Sequence, residues 1–103
     1  MKKVITPSEY EHFLAYGKFL PFLYGQYLNA NQPIQEIEQN KAEIEQWISE
    51  DYTRYIARCI KKTLVTKKRI IPSHLYLDFI KIIKYAYRLD YMLQNKLDKE
   101  FDE

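Results

Sequence analysis

The stretch from Ser73 to Leu93 constrains the fold more than any other part of the chain. Leu75, Phe79, Ile82, Ala86, Leu89 and Leu93 recur at spacings of four and three without interruption. That period keeps them on one stripe of an α-helix, whereas a strand would scatter them over both faces. Ser73 is a suitable N-cap directly after Pro72, so the helix is expected to begin there. Beside the first stripe runs a second, Tyr76, Ile80, Ile83 and Tyr87, which predicts a widened buried face. Asp90 takes the next place in that second stripe. A carboxylate buried there needs a cationic or hydroxyl partner, and a seam that ends at solvent needs none.

So broad an apolar face has to be covered, and the rest of the sequence supplies further helices to cover it. "TPSE" at 6–9 carries a capping box, with Thr6 as N-cap, Pro7 at the first helical position and Glu9 three residues on. The first helix is expected from Pro7 toward Asn29, kinked or broken near Pro21. Its residues from Phe13 to Leu28 are apolar almost all round, which predicts the most buried helix of the domain. "NANQP" at 29–33 reads as a loop, with Pro33 opening the next helix. Ile34, Ile37, Ile44, Trp47 and Ile48 then share one side of an acidic segment whose other sides carry Glu36, Glu38, Glu43 and Glu45.

Ser49, followed by Glu50 and Asp51, suits the cap of a new helix, since acidic residues favour a first turn; an interior turn of one long helix is the alternative. From Asp51 to about Val65, Tyr55, Ile56, Cys59 and Ile60 are expected inward, with Thr63 in line. Strand signals are confined to "TLVT" and "RII" around residues 65 to 71, short pieces that are marginal alone. With only two glycines in 103 residues, the expected fold is all-α, a compact antiparallel bundle of four to five helices forming one domain over residues 1–103.

Composition narrows the function. The single cysteine, Cys59, excludes an internal disulfide and suggests a reducing compartment. The N-terminus turns acidic before an apolar segment develops, and the apolar run 13–28 is interrupted by Lys18, Pro21 and Gln26. A cytoplasmic protein with no membrane insertion is therefore expected. Nucleophilic catalysis needs a base beside a Ser or Cys, and metal binding needs converging ligands. His12, His74 and Cys59 are isolated in the sequence, and Gly17 and Gly25 cannot make a phosphate-cradling loop. The expectation is a non-enzymatic protein with no metal and no cofactor.

Charge is unevenly distributed. The net charge of +2 is made of +1 over residues 1–33, −5 over 34–51, +9 over 54–88 and −3 over 90–103. "RYIARCIKKTLVTKKR" at 54–69 contains seven cations and no acid: Arg54, Arg58, Lys61, Lys62, Lys67, Lys68 and Arg69. On the last helix Lys81, Lys84 and Arg88 lie away from the first stripe, flanked by Tyr85 and Tyr91. If the last two helices are neighbours, all these cations form one surface. Cations for phosphates beside rings for bases suit sequence-tolerant binding, with single-stranded nucleic acid favoured.

The competing account is that these charges are only the wet side of helices. Like charges three or four apart cost about 0.2 to 0.5 kcal/mol each, which a fold tolerates. The acidic segment can also pack against the basic one and occupy it. The second functional expectation is a protein-interaction module, binding a larger protein or a second copy as a homodimer, because Tyr, Trp and Arg are favoured at interfaces. Surface attachment to a membrane ranks last, since residues 51–65 lack large apolar anchors. The Lys, Ile, Tyr and Asn bias fits an AT-rich bacterial or phage genome, and the small size suits an accessory factor.

Overall fold

The last helix is the axis on which the rest of the chain is laid. In the computed structural model, residues 2–65 and 69–101 are described, with side chains over 2–63 and 69–94. The elements are β1 (Lys2–Val4), α1 (Pro7–Ala15), a 3-10 turn (Gly17–Phe19), α2 (Leu20–Ala30), α3 (Gln35–Gln39), α4 (Lys41–Ser49), α5 (Tyr52–Val65), β2 (Ile70–Pro72) and α6 (Ser73–Phe101). Five of the helices run nine residues or longer, and the protein is an all-α bundle with one small sheet. The predicted stripe of α6 is its buried face: Leu75, Phe79, Ile82, Ala86 and Leu89 are removed from solvent, and Leu93 is half-buried. α2, the 3-10 turn and α1 cover that stripe.

Thr6 caps α1 as the sequence predicts, its hydroxyl accepting from Glu9 N at 3.1 Å while Glu9 Oε1 accepts from Thr6 N at 2.8 Å. Pro21 accompanies a break rather than a kink. α1 stops at Tyr16, a 3-10 turn follows, and Pro21 falls in the first turn of α2, where a missing N–H costs nothing. Two further helix junctions use residues that tolerate a left-handed backbone. Asn31 ends α2 at φ 57°, and Asp51 separates α4 from α5 at φ 54°. Ser49 does not cap α5; its hydroxyl donates back to Gln46 O.

Several expectations are corrected. The acidic segment divides at Asn40, whose side-chain amide donates to Glu36 O at 2.8 Å and so competes with continued helix. Pro33 does not open it, because Ile34 is the extended N-cap of α3. The stretch 13–28 is not buried all round: Leu14, Phe19, Phe22 and Leu28 face solvent, since only one side of α1 and α2 meets α6. The second stripe of α6 is half-buried at Tyr76, Ile80 and Ile83 and exposed at Tyr87. Asp90 follows the expected ending of that seam at solvent: half-buried at its edge, it accepts a 3.4 Å hydrogen bond from Gln94. On α5 the inward positions are Thr53, Ile56 and Ile60, with Tyr55 exposed and Cys59 only half-buried.

The strand signal at "RII" is used, but its partner is the N-terminus. Lys2, Lys3 and Val4 pair antiparallel with Pro72, Ile71 and Ile70, and Ile5 N donates to Arg69 O at 2.8 Å. Of "TLVT", Thr63, Leu64 and Val65 are helical at the end of α5, and Thr66 lies outside the described residues.

Three tyrosines tie helices together by donating to carboxylates. Tyr76 of α6 reaches Glu9 of α1 at 2.5 Å, Tyr52 of α5 reaches Asp78 of α6 at 2.7 Å, and Tyr27 of α2 reaches Glu38 of α3 at 2.5 Å. Bonds to a charged acceptor contribute more than neutral ones, about 1.5 to 3 kcal/mol each. Burial, with the Asp78 carboxylate, pushes the Tyr52 hydroxyl above its ordinary range, and burial with Glu38 does so for Tyr27. The hydrogen bond to Glu9, with burial, raises Tyr76. Burial and the Glu45 and Glu38 carboxylates push Tyr24 up to about 12.

Two predictions follow from this packing. A Cβ on Gly17 would stand 2.7 Å from the Phe13 ring, whereas nothing lies within 4 Å of one on Gly25. Gly17→Ala is expected to lower stability by about 1 to 3 kcal/mol by forcing Phe13 aside. Gly25→Ala, in mid-helix, is expected to raise it by about 0.5 to 1 kcal/mol. Urea unfolding of both variants checks the pair. The second concerns alkali: unfolded tyrosines lose their protons near 10, while these folded ones keep theirs. The stability they contribute is complete below about pH 10 and falls as pH rises toward the folded values. Urea midpoints constant from about pH 10 to 12 would contradict this.

Candidate nucleic-acid interface

The predicted cations divide into two groups with different surroundings. α5 begins beside α6, where Tyr52 bonds Asp78, and ends near the strand pair, where Arg69 N meets Thr63 O at 3.5 Å. β2 runs directly into α6, so the C-terminal half of α5 lies toward the N-terminal end of α6. Lys81, Lys84 and Arg88 lie further along α6, past Asp78. Tyr52 and Asp78 hold α5 against α6, and the acidic segment meets α6 at Lys81 and Lys84.

Lys81 and Lys84 of α6 are ion-paired. Lys84 Nζ stands 2.9 Å from Glu36 Oε1 of α3, and Lys81 Nζ stands 3.6 Å from Glu43 Oε2 of α4. The hydrogen bond that Lys84 donates to Glu36, with the carboxylate's charge, holds the Lys84 ammonium above its ordinary range. Glu36 and Glu43 stay at this flank of α6 because Ile37 and Ile44 on the same segment are completely buried. Arg88 is exposed, with no ion pair among the described residues.

Tyr85 is a correction. It is 5% exposed, its ring centroid 6.1 Å from that of Trp47, so it forms part of the core under α4 and offers no face to a base. Its place beside Lys84 in the sequence concealed this, since one residue is about 100° of helix rotation. Tyr91 is exposed, stacked 6.5 Å from Tyr87 on the outer side of α6.

At the other end the cations are free of such partners. Arg58, Lys61 and Lys62 are exposed on α5, Arg69 is exposed at a left-handed φ of 49°, and Lys2 and Lys3 are exposed on β1. None of these has an ion pair among the described residues, whereas Arg54 pairs with Asp51 at 3.4 Å. Lys67 and Lys68 lie outside the described residues. The contribution of Lys2 and Lys3 was not legible in the sequence, because only the β1–β2 pairing carries them to this end.

A row of rings connects this surface to the core. Tyr85, Trp47, Tyr52 and Tyr55 follow one another at centroid separations of 6.1, 6.3 and 6.0 Å, the last pair nearly parallel at 13°. Tyr55, at the outer end, is 47% exposed.

Among the described residues no cluster of three or more His, Cys, Asp or Glu converges, and no helix is long and apolar enough to cross a membrane. An open cleft of about 240 Å³ lies between Tyr27, Leu28, Pro33 and Glu38. Its polar groups already serve one another: Tyr27 accepts from Ile34 N and donates to Glu38, which pairs with Lys41.

Comparison with known proteins finds no matching family model, no similar curated protein and no similar solved structure.

The bond from Tyr52 positions α5 against α6 and so positions its basic side. Tyr52→Phe is expected to lower stability by about 1 to 3 kcal/mol through the carboxylate left without its donor. Urea unfolding with an unchanged m-value, and loss of less than about 0.5 kcal/mol as the contradictory result, checks this.

Proposed function

We propose that the protein is a non-enzymatic nucleic-acid-binding protein that engages phosphates through the end of the bundle formed by α5 and the β1–β2 pair. The observation carrying this reading is that Arg58, Lys61, Lys62, Arg69, Lys2 and Lys3 are all exposed without an ion pair among the described residues, while Lys81 and Lys84 are occupied by Glu36 and Glu43. Phosphate binding releases counterions in proportion to the charges neutralised, so unpaired cations contribute fully and already paired ones contribute less.

A protein partner is the second reading, favoured by Leu77, Tyr87 and Tyr91, which are exposed on the outer side of α6. Exposed rings of this kind suit an interface.

Fluorescence anisotropy with labelled single-stranded and duplex DNA and RNA over a range of salt tests the first reading. Contact with four to six phosphates of a single strand gives a log-log salt slope of roughly −3 to −4. Lys61→Met with Lys62→Met is expected to make that slope shallower by about 1.4, and Lys81→Met with Lys84→Met to leave it nearly unchanged. No binding at low salt, or a response confined to Lys81 and Lys84, would overturn the assignment.

A further inference from the structure

Resting on that reading, we infer that Tyr55 is a base-stacking platform and that the basic end of the protein therefore prefers single-stranded over duplex nucleic acid. Phosphate contacts alone give no preference for a single strand, because a duplex presents the same phosphates at higher charge density. A ring that needs an unpaired base does distinguish them.

Four features of Tyr55 carry the inference. It is an aromatic residue on the exposed side of a basic helix, and nearly half of its surface is open. Arg58 and Lys62 follow it at i+3 and i+7, the spacing that lines side chains along one side of a helix. A base on the ring thus has cations beside it for its own phosphate and the next. The ring is also held in place before any ligand arrives. It lies parallel to Tyr52 at 6.0 Å, Tyr52 is fixed by its hydroxyl to Asp78 at 2.7 Å and by its contact with Trp47, and Trp47 is in the core. Little side-chain freedom remains to be lost on binding, which favours affinity. Lastly, a tyrosine this exposed is not needed to fill the core, since Thr53, Ile56 and Ile60 do that for α5.

The alternatives are weaker as platforms. Tyr85 is buried, and Tyr87 and Tyr91 stand on α6 beyond the lysines that the acidic segment occupies.

The test is anisotropy with a labelled oligothymidine and with a duplex of equal length, at one low salt concentration, for the wild type, Tyr55→Ala, Tyr55→Trp and Tyr91→Ala. Tyr55→Ala is expected to weaken oligothymidine binding by about 5- to 100-fold and to leave duplex binding unchanged, with Tyr55→Trp retaining the wild-type preference. Trp47 emission and far-ultraviolet circular dichroism report whether each variant is folded. Photocrosslinking with 5-iodouracil in the oligonucleotide, located by mass spectrometry, is expected to mark Tyr55 and provides a readout on the unaltered protein. If Tyr55→Ala weakens both ligands equally or neither, or the crosslink falls on Tyr91, stacking at Tyr55 is wrong. Continued loss of affinity on Lys61→Met with Lys62→Met would then leave the basic-end reading standing. A wild type that binds neither ligand overturns both.

Discussion

Burial of the Leu75, Phe79, Ile82, Ala86 and Leu89 stripe of α6 is the interaction on which the rest of the structure depends. α1, the 3-10 turn and α2 close over it, and Ile71 of β2 lies in the same apolar cluster as Ile5, just beyond β1. Each of the large side chains among these contributes on the order of 1.5 to 3 kcal/mol, and Ala86 less. Once α6 is fixed, α5 is located by Tyr52 on Asp78, and α1 by Tyr76 on Glu9. Polar bonds thus set the placement of helices whose burial is supplied by α6.

The same arrangement sorts the charges. The segment α3–α4 brings its carboxylates to one flank of α6 because Ile37, Ile44 and Trp47 have to reach the core. Glu36 and Glu43 then meet Lys84 and Lys81. Exposed ion pairs of this kind contribute little stability. Their consequence is electrostatic: they reduce the positive field along α6 and leave the strongest unpaired charge at the α5 and β1–β2 end. The +9 of residues 54–88 is therefore divided between paired cations on α6 and unpaired ones on α5 and at Arg69.

Much of the helical framework was legible in the sequence because its signals are local. The α6 stripe follows from the helix period, Thr6 and Glu9 cap each other within one turn, and the break before α5 lies at residues suited to one. What was not legible depends on partners distant in the chain. Nothing near Lys2 indicates that it will pair opposite Pro72. Which ring on a helix is buried depends on what packs beside it: Tyr85 is taken inward by Trp47, and Tyr55 is displaced outward when Thr53 takes the inner position. The possibility that acids would cover cations was visible in the composition. That they would cover those of α6 rather than those of α5 was not, because the flank is chosen by Ile37, Ile44 and Trp47.

The central claim is that the cations of the α5 and β1–β2 end, and not those of α6, meet nucleic acid. Lysine footprinting on the unmodified protein tests it most directly: brief reductive methylation with and without saturating oligothymidine, read residue by residue by mass spectrometry. The account predicts protection of Lys2, Lys3, Lys61 and Lys62, with the reactivity of Lys81 and Lys84 unchanged by the ligand. Protection of Lys81 and Lys84 with Lys61 and Lys62 still reactive would contradict it.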